Sequence, residues 1–259
     1  MVQRRLGNTG ISISPIGLGT TKLGRNTDVK YPEPFPLPSD HVVRRLIDAT
    51  LAVGINLIDT APAYGASEQR LGSFLTEDKR DRLILCTKCG ENYEDGRSTW
   101  DFSAAAIETS LHASLRSLKT DHVDILLLHS HGRDLEILCE SDALDALTHA
   151  KQSGKARAVG ISAKTEPGIA EACRSLDVVM APFSEADTSL KAALERAHAK
   201  GVGILAIKGL GSGRLTPDKA IDFVLHQPFI DALILGTLSP AHLRQAVDIA
   251  ERISLEDRI

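Results

Sequence analysis

Four side chains that could exchange protons or hold charge follow three successive apolar segments of the sequence. They are Asp59 and Tyr64 after the first segment, Lys88 after the second and His129 after the third. Hydride addition to a carbonyl places negative charge on the oxygen, and a positioned acid must supply a proton as that charge grows. A tyrosine with a pKa near about 10 is a reluctant donor at neutral pH, so it needs help from its surroundings.

A lysine and a carboxylate beside the tyrosine would give that help. An ammonium group favours the phenolate and so lowers the tyrosine pKa, and a carboxylate keeps the lysine charged and in place. We therefore expect Lys88 and Asp59 to serve Tyr64, and His129 to orient a carbonyl through a hydrogen bond. Each residue also has an ordinary structural interpretation, but their order on successive segments favours a shared catalytic role.

The elements that must position these residues are visible as a repeated pattern. Short apolar runs alternate with stretches of helical period, and eight such cycles follow one another from about residue 15 onward. Side chains at the carboxyl ends of parallel barrel strands converge on one face, which would bring the four residues together. The predicted strands are Pro15–Leu18, Ile55–Ile58, Leu83–Thr87, Val123–Leu128, Ala156–Ile161, Val178–Met180, Gly203–Ala206 and Ala232–Leu235.

The intervening helices carry their own start and stop signals. Ser103 stands where an N-cap is expected, and Gly54 and Gly201 stand where C-terminal glycines belong. The predicted helices include His41–Val53, Ala104–Leu118, Leu190–Lys200, Asp218–Leu225 and Ala241–Ile253. Eight βα units without a composition break predict one α/β domain over residues 1–259, a (β/α)8 TIM barrel, with an open doubly wound sheet as the alternative.

Two segments lie outside the repeats. Residues 4–6 and 11–13 flank Gly7-Asn8-Thr9-Gly10, which predicts an N-terminal β-hairpin that could plug one end of the barrel. Residues 25–38 are polar and contain four prolines, at positions 32, 34, 36 and 38. This segment is predicted to be an irregular loop above the first barrel strand.

The motif that contains Asp59 and Tyr64 resembles the signature of the aldo-keto reductases. It reads Gly54-Ile-Asn-Leu-Ile-Asp59-Thr-Ala-Pro-Ala-Tyr64-Gly65 and is followed by Ser67-Glu68. Thr87-Lys88 and Val123-Asp-Ile-Leu-Leu-Leu-His129 resemble the lysine and histidine segments of that family, in the same order. The resemblance covers nearly the whole chain and implies an NAD(P)-dependent oxidoreductase of the short bacterial type, with a catalytic tetrad on a barrel.

The resemblance also implies that a nicotinamide cofactor binds at the barrel mouth, although the sequence has no strand–GxGxxG–helix unit. A glycine-rich turn after strand seven would let backbone N–H groups approach the diphosphate, and the helix after strand eight would hold the adenosine half. Besides Asp59, the implied cofactor-binding residues are Gly19, Thr20, Ser162, Met180, Lys208, Leu210, Gly211, Gly213, Gly236, Thr237, His242 and Gln245.

Three positions depart from the family pattern. Ala163 replaces an asparagine and Met180 a glutamine, and both lost side chains would bind the nicotinamide amide. His242 replaces an arginine, and a mostly neutral histidine is a weaker partner for a 2′-phosphate. We expect NADP as cofactor, helped by Arg244 or Lys208, while NAD stays open.

The overall composition excludes several other functions. A net charge of -4 without a basic run argues against nucleic acid, and no apolar stretch approaches the ~20 residues of a membrane span. Four cysteines without an apolar leader segment predict free thiols in a cytoplasmic protein, with no metal site. A monomer is expected by resemblance.

The expected substrate is a small aldehyde or ketone, or a sugar-like alcohol in the reverse direction. Two other functions stay open at this point. A barrel lyase or aldolase would use Lys88 as a Schiff base, although a carboxylate beside it hinders attack by keeping the amine protonated. An accessory barrel that binds the cofactor with weak turnover is suggested by Ala163 and Met180.

Overall fold

A computed structural model of the protein describes residues 1–256, and the strands within this range match the sequence pattern closely. All eight predicted barrel strands are present, with ends that differ from the prediction by at most two residues. The strands are β1 (Arg4–Arg5), β2 (Ser12–Ile13), β3 (Ile16–Gly19), β4 (Leu57–Asp59), β5 (Ile84–Cys89), β6 (Glu91–Glu94), β7 (Arg97–Trp100), β8 (Val123–His129), β9 (Ala156–Ser162), β10 (Val178–Pro182), β11 (Gly203–Ile207) and β12 (Ala232–Leu235).

Eight of these strands close into a parallel barrel in the order β3-β4-β5-β8-β9-β10-β11-β12. The barrel closes between β12 and β3, where Leu233 pairs with Ile16. Because every pair around the ring is parallel, all carboxyl ends open on the same face. The (β/α)8 barrel is therefore confirmed, and the open sheet is excluded.

Helices surround the barrel and bury their apolar faces against it. Ser103 accepts a hydrogen bond from the Ala106 N–H at the start of a predicted helix, and Gly54 and Gly201 adopt φ values of +82° after two others, as predicted. The helices are α1 (Thr21–Gly24), α2 (Asp40–Ala52), α3 (Ser67–Phe74), α4 (Glu77–Asp81), α5 (Ala104–Leu118), α6 (Asp134–Glu140), α7 (Ala143–Gln152), α8 (Glu166–Ala172), α9 (Lys191–Ala199), α10 (Pro217–Leu225) and α11 (Pro240–Glu256). None of the helices in residues 1–256 is long and apolar enough to cross a membrane.

The N-terminal hairpin plugs the amino end of the barrel. Its side chains Leu6, Ile11 and Ile13 are fully or almost fully buried and pack with the inward-facing residues of the strands. Gly7 lies very close to the barrel backbone, because a Cβ added to Gly7 would lie 2.4 Å from the backbone nitrogen of Gly203. The predicted hairpin and its plugging role are both confirmed by these contacts.

A second hairpin, β6–β7, was not expected from the sequence. Its strands are polar, so they lack the alternation of apolar residues that marks a strand. A signal was nevertheless present, because Asp95 and Gly96 form a turn with φ values of +50° and +78°. An Asp-Gly turn with two positive φ values is typical of a tight hairpin.

Asp231 ties the plug to the barrel and is an unusual buried carboxyl. Its Oδ2 accepts hydrogen bonds from the N–H groups of Ile204, at 2.8 Å, and Gly7, at 3.2 Å. Burial raises the pKa of Asp231 to about 6, against the opposing effects of these N–H groups and of His198 and Arg4. The folded state therefore binds the Asp231 proton more tightly than the unfolded chain does.

Replacing Asp231 with asparagine should flatten the pH dependence of stability. Because the folded-state pKa is raised, the wild-type contribution is complete below about pH 4 and is lost as the pH rises through about 6. We compare the unfolding free energy of Asp231→Asn with that of the wild type at each pH. Above about pH 6, this difference should favour the variant by up to about 3 kcal/mol more than it does at pH 4. Urea unfolding across this window measures it, and parallel curves for the two proteins would refute the titration of Asp231.

Candidate functional site

Three neighbouring barrel strands bring the predicted catalytic residues together. Asp59 is the last residue of β4, Lys88 lies near the end of β5, and His129 is the last residue of β8. Tyr64 follows β4 in a 3₁₀ turn, Pro62–Tyr64. The expected grouping at the carboxyl ends of the strands is thus present.

Lys88 and Asp59 form a buried ion pair at the floor of this site. Lys88 Nζ lies 2.5 Å from Asp59 Oδ1 and donates a second hydrogen bond of 2.9 Å to the Thr60 carbonyl. Only 1% of the lysine side chain is exposed. Burial alone would lower the pKa of Lys88, but the negative charge of Asp59 and the neighbouring Tyr64 and Cys86 outweigh it and raise that pKa. The lysine is therefore a fixed cation.

Tyr64 packs against this cation, yet its acidity differs from the prediction. The Lys88 Nζ lies 4.8 Å from the centre of the Tyr64 ring. Removal from water is the largest influence and raises the pKa of Tyr64, and Asp59 adds to it, while Lys88 and Thr21 lower it. The net pKa is raised, against the expected lowering, because the ammonium opposes the effect of burial without overcoming it.

His129 lies beside Tyr64 and contacts a carboxylate that the sequence did not reveal as functional. The two rings are nearly perpendicular, with centroids 6.0 Å apart. His129 Nδ1 lies 2.7 Å from Glu91 Oε2, at ion-pair distance but out of line for a regular hydrogen bond. Burial lowers the pKa of His129, with a further lowering by Lys88, and Glu91 opposes both.

Glu91 begins the second hairpin and is held from several sides. The Ser98 hydroxyl donates to Oε1 at 2.6 Å, and Arg25 Nη1 lies 3.5 Å from the same oxygen. Burial would raise the pKa of Glu91, but His129, Ser98 and Arg25 together lower it to about 2. The Asp95-Gly96 turn was the available signal for this residue, because it sets the hairpin in which Glu91 pairs with Trp100.

The implied nicotinamide residues Gly19, Thr20, Ser162 and Met180 are all buried. Ser162 ends β9 directly opposite His129, and Gly19 ends β3 opposite Asp59. The Thr20 side chain is fully buried, and its hydroxyl donates to the Asp59 carbonyl. Met180 has no exposed surface and packs inside the barrel. The cofactor roles of Thr20 and Met180 therefore lack an accessible side chain in this structure.

The turn after β11 fits an anionic group. Four of its residues, Lys208, Gly211, Ser212 and Gly213, have positive φ values between 55° and 93°. Consecutive left-handed residues of this kind form backbone concavities that bind anions. Burial lowers the pKa of Lys208, and the nearby ammonium groups of Lys30 and Lys164 lower it further. The backbone shape of the turn and the three lysines near it therefore both fit a diphosphate group. Leu210 lies partly buried within the same turn.

The residues after β12 are partly engaged with each other. Thr237 Oγ1 lies 3.2 Å from His242 Nδ1, and the Gln245 amide donates to Asp218 Oδ1 at 2.8 Å. Gly236 is covered by Tyr31 of the irregular loop, whose hydroxyl lies 2.5 Å from the position of an added Cβ. A side chain at position 236 would require the Tyr31 hydroxyl to shift. Tyr31 was not among the residues expected here.

The two cysteines of the Cys86-x-x-Cys89 motif lie in the core beside this site. Both are free and fully buried. Burial raises the pKa of each thiol, with Asp59 adding to the effect at Cys86. A protonated, inaccessible thiol is a poor nucleophile and a poor metal ligand.

Comparison with known proteins agrees with the geometry of the site. The sequence model described as the Aldo/keto reductase family matches residues 15–223, which includes all eight strand ends except that of β12. The chain belongs to the aldo-keto reductase family. Members of this family use nicotinamide cofactors, in keeping with the turn of positive φ values after β11.

Individual aldo-keto reductases extend the match to nearly the whole chain. A crystal structure from Pseudomonas aeruginosa, also assigned to the aldo-keto reductases, is 40% identical, with a TM-score of 0.89, and covers 97% of this chain and 95% of its own. The L-galactose dehydrogenase of Arabidopsis thaliana is 33% identical over 232 residues, 82% of this chain and 66% of that protein. A D-threo-aldose 1-dehydrogenase from a Pseudomonas species is 26% identical, over 93% of this chain and 90% of its own.

The buried pair in this aldo-keto reductase should be costly to break from one side. Lys88→Met leaves the Asp59 charge buried and unpaired, and we expect a loss of about 3–5 kcal/mol in unfolding free energy. The double variant Asp59→Asn/Lys88→Met removes both charges and should recover most of that loss. Urea unfolding at neutral pH measures both variants.

The matched control is the surface pair of Lys79 and Asp48, whose Nζ–Oδ1 distance is 2.6 Å. Both side chains are partly exposed, so Lys79→Met should cost no more than about 1 kcal/mol. Equal losses for Lys88→Met and Lys79→Met would contradict the assignment of Lys88 as a buried, paired cation.

Proposed function

We propose that this protein catalyses reversible hydride transfer between a nicotinamide cofactor and a small carbonyl or alcohol substrate. The observation that carries the proposal is the buried Lys88–Asp59 pair lying against Tyr64 and beside His129, at the carboxyl ends of adjacent barrel strands. A phenol, a fixed cation and an imidazole at one barrel mouth can handle the charge that develops on a carbonyl oxygen.

Each side chain has a distinct part in that chemistry. The nicotinamide would supply or accept the hydride when bound. In reduction, Tyr64 gives its hydroxyl proton to the substrate oxygen, and Lys88 stabilises the phenolate that is left. Asp59 keeps Lys88 charged and fixed. His129 touches the substrate oxygen from the other side of the site. Because the pKa of Tyr64 is raised, the phenol keeps its proton at rest, and the Lys88 charge lowers the cost of giving that proton to the substrate.

The proposed cofactor is NADP rather than NAD. Lys208, with Lys30 and Lys164 near it, is assigned to the diphosphate. His242 and the exposed Arg244 lie on the first turns of α11, where the positive end of the helix supports a 2′-phosphate. Since no arginine is held in a bidentate position there, we expect only a modest preference.

The proposed substrate is sugar-like. Two relatives carry the names L-galactose dehydrogenase and D-threo-aldose 1-dehydrogenase. The outer wall of the site also suits a polyhydroxy compound, because Trp100 is 43% exposed and stands edge-on to His131, with ring centroids 5.8 Å apart. An exposed indole face packs on the apolar C–H groups of a sugar and leaves its hydroxyls to polar partners.

The lyase alternative is less consistent with the site. A Schiff base requires a neutral, accessible amine, whereas Lys88 is fully buried, paired with a carboxylate and has a raised pKa. The accessory-barrel alternative keeps cofactor binding but predicts weak turnover, so catalysis has to be measured separately from binding.

Replacing Tyr64 with phenylalanine should remove reduction and spare cofactor binding. Loss of the proton donor is expected to lower kcat/KM by about 10²- to 10⁴-fold. Turnover is measured against a panel of aldehydes and aldoses, and binding by the fluorescence of NADPH and NADH during titration. Tyr93→Phe is the matched control, since that hydroxyl contacts Thr27 in the irregular loop. A Tyr64→Phe protein with unchanged kcat/KM would disprove the assigned donor, and binding of NADPH without turnover in the wild type would favour the accessory barrel.

A further inference from the structure

The segment that carries Tyr64 is held at both of its ends by buried hydrogen bonds. At the first end, the Thr60 N–H donates to the Cys86 carbonyl at 2.8 Å, and the Thr60 carbonyl accepts a bond of 2.9 Å from Lys88 Nζ. At the second end stands Ser67, the first residue of α3, whose side chain is fully buried. The position of Tyr64 over the lysine therefore depends on what holds Ser67.

Three buried hydroxyl groups connect Ser67 to the base of the site. Ser67 Oγ lies 2.8 Å from Thr20 Oγ1, 3.0 Å from the Thr20 carbonyl oxygen and 3.3 Å from Thr60 Oγ1. The Thr20 hydroxyl in turn donates to the Asp59 carbonyl at 2.9 Å. Since that carbonyl can only accept, the Thr20 proton points to Asp59, the Ser67 proton to Thr20 and the Thr60 proton to Ser67. All three hydroxyl side chains have no exposed surface, so the loss of one leaves its neighbours unsatisfied.

Close backbone packing ties Ser67 and Tyr64 to the same helix. A Cβ added to Gly24, the last residue of α1, would lie 2.2 Å from the Ser67 nitrogen and 2.4 Å from the Tyr64 carbonyl oxygen. A Cβ added to Gly65 would lie 2.3 Å from the Gly24 carbonyl oxygen. Because α1 contacts both residues, a shift of Ser67 against this helix moves Tyr64 as well.

We propose that Ser67 is a positioning residue, which holds Tyr64 in place over the Lys88–Asp59 pair through the hydroxyl chain to Thr20. The proposal rests on the proposed function in taking Tyr64 as the proton donor. Tyr64 and Lys88 follow different strands, so the distance of 4.8 Å between the phenol ring and Nζ depends on how the segment is held. A displacement of about 1 Å between reacting groups can lower the rate about 10²-fold.

The neighbouring helix offers a matched control for a purely structural role. Ser114 in α5 is also fully buried, and its hydroxyl donates to Glu68 Oε2 at 3.0 Å. Glu68 lies next to Ser67 in α3 but outside the segment that carries Tyr64. Ser67→Ala and Ser114→Ala therefore each remove one buried serine hydroxyl near the start of α3, and only the first breaks the chain to Thr20.

Replacing Ser67 with alanine should slow the reaction without weakening binding. We expect kcat for aldehyde reduction to fall about ten- to hundredfold, because Tyr64 is displaced from the lysine. The KM of the aldehyde and the Kd of NADPH should stay within about twofold of the wild-type values, since the buried Ser67 side chain contacts neither ligand. Ser114→Ala should keep the wild-type kcat. An unchanged kcat in Ser67→Ala, or an equal fall in Ser114→Ala, would contradict the positioning role.

The position of Tyr64 can also be measured without catalysis. Protein labelled with ¹³Cζ-tyrosine gives one NMR signal for each of its three tyrosines, and the spectrum of Tyr64→Phe assigns the signal of Tyr64. The Cζ atom carries the hydroxyl, so its chemical shift responds to the nearby ammonium group. We expect this signal to move in Ser67→Ala and to stay in place in Ser114→Ala.

Thr20→Val gives a second break in the same chain, with a side chain of nearly the same volume. It should move the Tyr64 signal in the same way, which keeps the test decisive if Ser67→Ala does not fold. A Tyr64 signal that stays at its wild-type position when the chain is broken would overturn the proposal. Absence of turnover in the wild type, with a displaced signal in the variants, would count only against the proposed function, because the NMR measurement requires neither cofactor nor substrate.

Discussion

The site depends on one buried electrostatic interaction, the pair formed by Lys88 and Asp59. Placing an ammonium group where 1% of its side chain is exposed is unfavourable unless a carboxylate lies in contact with it. The barrel meets this condition because β4 and β5 are adjacent and in parallel register, with Asp59 opposite Cys86 and Lys88 two residues beyond. The pair thus fixes a permanent positive charge under the Tyr64 ring.

Elements outside the eight-fold repeat complete the site around this charge. The 3₁₀ turn after β4 carries Tyr64 over the lysine, and the β6–β7 hairpin carries Glu91 to the far side of His129. The irregular loop supplies Arg25 to that carboxylate and lays Tyr31 over Gly236. The barrel therefore supplies the charges that must be buried, whereas the connecting segments place further side chains around them.

The sequence was most informative where a residue's position follows from periodicity. Asp59, Lys88 and His129 could be brought together because each follows an apolar strand, and strand ends in a parallel barrel share one face. The acidity of Tyr64 could not be predicted, because it depends on the balance between burial and a nearby cation. The sequence gives neither the depth of burial of the phenol nor its distance from Lys88. Glu91 was missed because its strand is polar, although the Asp95-Gly96 turn pointed to a hairpin. Motif alignment also assigned cofactor contacts to Thr20 and Met180 without regard to their complete burial.

We propose that the fixed positive charge beneath Tyr64 drives proton donation during reduction. The most direct test is the single-turnover rate of aldehyde reduction by the double variant Asp59→Asn/Lys88→Met, mixed with saturating NADPH after its folding and cofactor binding have been verified. We predict a hydride-transfer rate at least about 10²-fold below that of the wild type, since the phenolate loses its stabilising cation. A rate equal to the wild-type rate would show that the buried pair only supports the fold and would contradict this account.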